Sequence, residues 1–367
     1  MKIRMKNFMD CWEYSTDELL QLVDLIIYLK KCAKNGYVPK LLKEQTVALI
    51  FNGNSTRTRI SFEVAAQELG ANALFLTGGP HGELHLGHRE TIEDSAKVIS
   101  SMVDGIAMRW SEVSEIEEFA KHSSVTVFNG MDFYRHPTQT LCDLVTIIEN
   151  LPEGKELKDI KLVFVGSADA GESSANDLAK LLPRFGAEVV HLVPEGHELG
   201  GEFELGEKWM VEKNLKEIEI ACKEGGGKYS WTNNVDEGVK NADFIYSGCY
   251  CYEGMEDDTD MKHFNDVFIG GGYQVSEQLL AKCPTAKTMH YLPALRGKEM
   301  TDYAMDFDGS LLWKQAENRL HTQRGLLAYL MADREMVTEE DKVRMEKDAW
   351  KIIDNMRLQF GAELTHN

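Results

Sequence analysis

The sequence predicts an α/β protein made of two parallel-sheet domains, on three observations. Short apolar runs alternate with helical patterns in both halves of the chain. The 367 residues exceed what one hydrophobic core ordinarily serves. Between the halves, Leu151-Pro152-Glu153-Gly154-Lys155 reads as a junction, after which the alternation restarts. In such sheets ligands bind at the carboxyl ends of strands, and in a two-domain chain also between the domains.

In chain order, Ser15-Thr16-Asp17-Glu18 fits a capping box. Leu19, Leu22, Val23, Ile26, Ile27 and Leu29 then keep helical spacing as far as Asn35-Gly36. The apolar run 47–51 predicts a strand, and Phe62, Val64, Ala65, Ala66 and Leu69 a helix. Between them lies Asn54-Ser55-Thr56-Arg57-Thr58-Arg59. Hydroxyls, an arginine and helix N–H groups there would converge on an anion. The same spacing fits a Ser/Thr helix cap beside two solvated arginines. Residues 73–76 predict a second strand. The glycine- and histidine-rich stretch 78–90 fits a mobile active-site loop and a solvated loop equally.

A helix is expected over 91–101, then a strand at 106–108 with Arg109 at its end, and another strand over 125–130. Arg135-His136-Pro137-Thr138-Gln139 opens a helix through Leu141, Leu144, Val145 and Ile148. His136 and Gln139 share a face, set either to meet one ligand or to serve as a cap and an exposed amide. In the second half, strands are expected at 161–166, 188–193, 243–246 and 287–290, with a helix near 176–185. Arg319 is expected to precede a helix over 320–331, and Thr338 to start an amphipathic helix reaching Phe360. That last helix either packs on its own domain or docks on a neighbouring subunit.

The formal charge of −20 argues against nucleic acid and against an anionic membrane surface. A phosphate-bearing substrate would therefore need a local basic pocket. The seven cysteines, odd in number and without a C-x-x-C pair, point to reduced thiols in a cytoplasm. Cys249 and Cys251 have no Cys/His cluster near them, which argues against a metal. There is no signal-type apolar block at the start, and no run approaches the ~18 apolar residues of a membrane span. A soluble, cytoplasmic protein is expected.

One motif misleads. Residues 166–173 nearly match the phosphate-binding loop G-x-x-x-x-G-K-[ST], but Glu172 replaces the lysine and would repel phosphates. The dinucleotide fingerprint G-x-G-x-x-G is absent there too.

Together, Ser55-Thr56-Arg57-Thr58-Arg59, Arg109, His136-Pro137-Thr138-Gln139, Leu292-Pro293 and Glu317-Asn318-Arg319 resemble the aspartate/ornithine carbamoyltransferase family, in its order and over nearly the whole chain. Leu86-Gly87-His88-Arg89-Glu90-Thr91-Ile92-Glu93-Asp94 is similar to the putrescine branch. The resemblance implies two Rossmann-like domains joined by interdomain helices. A carbamoyl phosphate domain would span 1–150 plus 320–367, and a second-substrate domain 151–319. It further implies that Ser55, Thr56, Arg57, Thr58, Arg109, His136, Gln139 and Arg319 bind carbamoyl phosphate, with Arg57, Thr58, Arg109 and His136 catalytic. Gly248, Tyr291, Leu292 and Pro293 would face the second substrate. No cofactor, metal or covalent intermediate is required. A homotrimer with shared active sites is implied, the 81–89 loop serving a neighbour.

Two departures concern the acceptor. Tyr291 stands where the family has cysteine, and Gly248 aligns with an aspartate that would pair with a cationic amine. Glu253, Glu256 and Asp257 are the candidate substitutes, and restoring the acid through Gly248→Asp is expected to raise turnover with putrescine or ornithine. The functional expectation is carbamoyl transfer to a small amine, with a putrescine-like acceptor favoured. The alternatives are ornithine, another amino acid, and a silent paralogue that only binds carbamoyl phosphate.

Overall fold

The structure is a computed structural model and describes residues 3–4, 6–79, 82, 84, 86–87, 89–249, 262–332, 344–360 and 363–364. His81, Glu83, His85 and His88 of the 81–89 loop, with Cys251, Glu253, Glu256, Asp257 and Thr338, lie outside the described residues. The chain divides into two compact units, Met1–Val145 with Glu317–Asn367, and Thr146–Ala316.

In the first unit, α1 (Thr16–Lys34) precedes β1 (Thr46–Phe51), α2 (Thr56–Glu68), β2 (Asn72–Thr77), α3 (Ile92–Ser100), β3 (Gly105–Arg109), α4 (Val113–His122), β4 (Thr126–Met131) and α5 (Pro137–Glu149). The four strands form a parallel sheet in the order β2-β1-β3-β4. Val47 to Phe51 are all buried, so β1 reads as an unbroken apolar run and not as an alternation. Ala48, Ile50, Ile106, Met108 and Val127 pack with Ile116 and Phe119 of α4.

Ser15 caps α1 by accepting from the Glu18 N–H. The other half of the expected capping box is not made. Glu18 is 2% exposed, and its carboxylate takes the Lys6 ammonium at 2.9 Å and the Tyr329 hydroxyl at 2.7 Å instead. A charged tertiary partner outcompetes a single local N–H.

In the second unit, β5 (Lys161–Val165), α6 (Ser173–Leu181), β6 (Glu188–Leu192), α7 (Lys208–Gly225), β7 (Lys228–Thr232), β8 (Phe244–Ser247) and β9 (Lys287–His290) follow in turn. They build a parallel sheet ordered β9-β8-β5-β6-β7. Its core gathers Val163, Val165, Leu192 and Ile245 with Phe264, Phe268 and Val275. The expected two parallel-sheet α/β domains are therefore both present.

The sequence reading placed Arg319 ahead of a helix starting at Leu320. The helix is α8 (Leu312–Met331), and Arg319 sits in its middle. Gln315, Asn318, Arg319, Thr322 and Gln323 are all buried, so the inward face of its first half is polar and gives no apolar period. The final helix, α9 (Arg344–Phe360), packs on α1 of its own unit and buries Ala349, Trp350, Ile353 and Met356.

Candidate active site

Three strand ends and one helix of the first unit deliver the candidate donor-site residues. The chain leaves β1 and enters α2 through Ser55, which occupies the cap position in extended conformation without a side-chain cap bond. The simple Ser/Thr cap is therefore not what this turn forms. Thr56 is exposed, Arg57 half-buried and Thr58 buried. Arg59 turns away, lying over the Phe75 ring at 3.5 Å and pairing with Glu63.

Arg109 closes β3 at a register shift. Met108 pairs with Asn129, but Arg109 pairs with Met131, so one residue of β4 is skipped. Such a bulge re-aims the side chain at a strand end. The skipped residue is Gly130, where a Cβ would stand 3.2 Å from the Met108 carbonyl and 3.3 Å from the Thr58 methyl. Pro137 starts α5, and its missing N–H costs nothing in a first turn. His136 is 7% exposed and Gln139 1%, so neither is a solvated cap or amide.

Arg319 ties these segments together. Its Nη2 donates to the Thr58 hydroxyl at 3.0 Å, and its Nη1 to the Gln139 side-chain oxygen at 2.5 Å. Nη1 also lies 3.5 Å from His136 Nε2. Gln139 is held from its other side, its amide donating to Asp143 at 2.7 Å.

Three guanidiniums share this space. Burial, then Arg319 and Arg57, pushes Arg109 down to about 10. Burial, then Arg319, Arg109 and Arg57, holds His136 well below the ordinary histidine range, so the imidazole is neutral. Among the described residues no carboxylate pairs with Arg57 or Arg109. A cluster of cations in a chain of charge −20 is a local reversal of field that suits a small, doubly charged anion.

The second unit gathers the expected acceptor-side residues. Gly248 follows β8, and Tyr291, Leu292 and Pro293 follow β9. The Cys249 N–H donates to the Tyr291 oxygen at 2.7 Å, and the Tyr291 hydroxyl donates to Glu172 at 2.9 Å. Leu292 has φ +58°, a backbone state that branched side chains rarely adopt, and its N–H donates to His290 Nδ1 at 2.8 Å. Pro293 is exposed.

Glu172 joins this group without having been among the expected acceptor-side residues. Its signal was present, but it was weighed only as a failed phosphate-loop lysine. The expected gain from Gly248→Asp also needs correction. A Cβ at Gly248 would stand 2.7 Å from the Phe164 ring and 3.1 Å from the Glu172 carboxylate. There is neither room for an aspartate nor an electrostatic welcome for a second acid.

Each of the two parallel α/β units carries a polar cluster at the carboxyl ends of its strands, where such folds bind their ligands. Residues 6–149 match the aspartate/ornithine carbamoyltransferase carbamoyl-P binding domain, and 158–330 match the Asp/Orn binding domain of the same family. The ornithine carbamoyltransferase of Oceanobacillus iheyensis is 36% identical over 335 residues, 90% of this chain and 96% of that one. The putrescine carbamoyltransferase of Mycoplasma capricolum is 35% identical over 340 residues, 89% of this chain and 87% of that one. The solved ornithine carbamoyltransferase of Pyrococcus furiosus superposes with a TM-score of 0.79 at 34% identity, over 90% of this chain and 98% of that one. The chain belongs to the aspartate/ornithine carbamoyltransferase family, and it is a carbamoyltransferase. Among the described residues no helix is long and apolar enough to cross a membrane.

Proposed function

We propose that the enzyme moves the carbamoyl group of carbamoyl phosphate to the amine of a small, putrescine-like acceptor and releases phosphate. The observation that carries the donor half is the convergence of Arg57, Arg109 and Arg319 on a neutral His136 with no carboxylate paired to the first two among the described residues.

In this reading Ser55, Thr56, the N–H groups of the first turn of α2, and the guanidiniums of Arg57 and Arg109 hold the phosphate oxygens. The carbonyl oxygen takes hydrogen bonds from Thr58 and His136. Thr58 accepts from Arg319 and so keeps its own O–H to give. Gln139, clamped between Arg319 and Asp143, turns its oxygen toward the carbamoyl NH2. The acceptor nitrogen attacks the carbonyl carbon and loses a proton as the bond to phosphate oxygen breaks. Negative charge builds on the carbonyl oxygen and on the departing phosphate, and these donors would stabilise it. Positioning two substrates supplies much of the remaining rate.

The first unit thus takes the donor, and residues 151–319 take the acceptor through Gly248, Tyr291, Leu292 and Pro293. The enzyme works in the cytoplasm as a homotrimer. Relatives named for ornithine and for putrescine are equally similar, so ornithine is the second reading of the acceptor. Phosphate release from carbamoyl phosphate over a panel of amines tests the proposal. Release stimulated by putrescine above all others supports it. Binding of carbamoyl phosphate with no stimulation by any amine would leave a silent binding protein.

A further inference from the structure

A second group of charged side chains gathers at the opposite end of the second unit's sheet, where β5, β6, β7 and β8 begin. Lys161, Glu188 and Lys228 open β5, β6 and β7 and stand in register, so cation, anion and cation alternate across three adjacent strands. They border a cavity of about 530 Å³, whose wall also includes Lys155, Glu237 and Lys240. Some of the charges there are already spent. Asp243 accepts from Lys155 Nζ at 2.7 and 2.8 Å and from the Lys161 N–H at 2.9 Å. Lys158 pairs with Glu156 at 2.6 Å, and Asp159 accepts from the Glu156 N–H at 3.0 Å. Lys161 is different. Its side chain is 14% exposed, yet its ammonium donates only to the Lys240 carbonyl, at 2.9 Å, and Glu188 stands 3.9 Å away, beyond hydrogen-bond reach. Among the described residues Lys228, Lys240 and Glu237 enter no ion pair.

We propose that this cavity is a non-catalytic binding site for a small zwitterion, a molecule with one carboxylate and one ammonium group. Lys161, Lys228 and Lys240 take the carboxylate, and Glu188 and Glu237 take the ammonium. Uncommitted charges of both signs disfavour the simpler ligands. A polyanion would meet the two acids and a diamine the three lysines, each with like-charge repulsion. An ammonium carries three N–H donors and Lys161 uses one, in a setting enclosed enough for an added acceptor to count. The volume falls within the about 300–1,000 Å³ of small-molecule sites. Ile160 is the one apolar side chain of the described lining, and no aromatic residue lines it, which suits a flexible charged chain better than a ring. The cavity lies at the amino ends of the strands, whereas Gly248 and Tyr291 follow the carboxyl ends of β8 and β9. It is therefore separate from the residues assigned to the acceptor, and the inference does not depend on which acceptor the enzyme uses.

The test is titration calorimetry on the full chain with four probes of one six-carbon skeleton. Both 6-aminohexanoate and norleucine carry the two charges, far apart in the first and adjacent in the second. Hexanoate and n-hexylamine carry one charge each. At least one zwitterion is expected to bind at least tenfold more tightly than both single-charge probes. The double variant Lys228→Ser, Lys240→Ser changes two exposed side chains and should weaken that binding at least tenfold. Glu237→Gln should weaken it at least threefold. In both variants phosphate release from carbamoyl phosphate with putrescine should stay within twofold of wild type, as a site outside the catalytic machinery requires. Absence of binding by either zwitterion overturns the proposal. So does an affinity unchanged in the double variant, which would place the probe elsewhere on the chain. Hexanoate or inorganic pyrophosphate binding as tightly as the zwitterions, and lost in the double variant, also overturns it by making the cavity a plain anion site. Phosphate release by the wild-type chain is read separately, so none of these failures bears on carbamoyl transfer.

Discussion

The Arg319 guanidinium donates to the Gln139 side-chain oxygen at 2.5 Å, with the two residues 3% and 1% exposed. Its second nitrogen holds Thr58. Only a planar fork makes both bonds at once, and a lysine ammonium is a point charge without that geometry. Arg319→Lys should therefore weaken carbamoyl phosphate binding at least tenfold in calorimetry while circular dichroism stays native. Wild-type affinity in this variant would remove Arg319 from the donor site.

Gly248→Asp should harm the protein. The new Cβ meets the Phe164 ring and the Glu172 carboxylate, so overpacking of about 1–3 kcal/mol is expected. A lowered thermal midpoint, with no gain in turnover on putrescine or ornithine, is the expected result. A faster, equally stable enzyme would mean that the loop after β8 relaxes to admit the acid.

Asp132 and Arg135 form a buried pair beside the site, 1% and 3% exposed. Asp132 accepts from Arg135 Nε at 3.0 Å and Nη2 at 2.8 Å, from the N–H groups of Tyr134 and Arg135, and from Asn129. Removing Asp132 takes away the buried partner of Arg135 and leaves it Glu117, a half-exposed carboxylate 3.0 Å from Nη2. Asp132→Ala should cost about 3–5 kcal/mol, read from urea unfolding, and should displace His136 at the start of α5. A loss below about 1 kcal/mol would show that Glu117 alone suffices to hold the Arg135 charge.

His191 lies between the Ala175 carbonyl, 3.2 Å from Nε2, and the Tyr229 hydroxyl, 3.1 Å from Nδ1. Burial pushes it from 6.5 down to about 4. Below pH 6.5 the unfolded chain takes up a proton here that the folded chain refuses, so unfolding gains on folding as the pH falls. Stability is whole above pH 6.5 and is lost progressively toward pH 4, by about 2 kcal/mol from this residue at pH 5. His197 and His321, also pushed down to about 4, act in the same direction. His191→Gln should flatten the fall in urea midpoint between pH 7 and 5. An unchanged slope would place the proton uptake elsewhere.

What the sequence disclosed depended on which side of an element carries apolar groups. The turn before α2 and the proline-led start of α5 were legible because Ser, Thr and Pro mark helix starts by local chemistry. The edge strand β7 was missed, since Lys228, Ser230 and Trp231 are exposed and no apolar run forms. Helix α7 escaped for a related reason, because its inward face includes Asn214 and Glu217 as well as Met210 and Ile218. Helix α4 was legible in principle, with Ile116, Phe119 and Ala120 at helical spacing, and went unread. Glu172 shows in the sequence only as a departure from a phosphate loop, because its contact with Tyr291 joins residues far apart in the chain.

The discontinuity of the first unit sets an order of events during synthesis. Its parallel sheet is complete once Met131 has left the ribosome, with Arg57 and Arg109 already out, and His136 follows soon after. Arg319 emerges only after the whole of the second unit has been translated. Domains generally fold as they appear, N-terminal first. A half-made chain therefore carries Arg57 and Arg109 without the helix that clamps Gln139 and Thr58. A chain broken off before Arg319 lacks the guanidinium that joins Thr58 to Gln139.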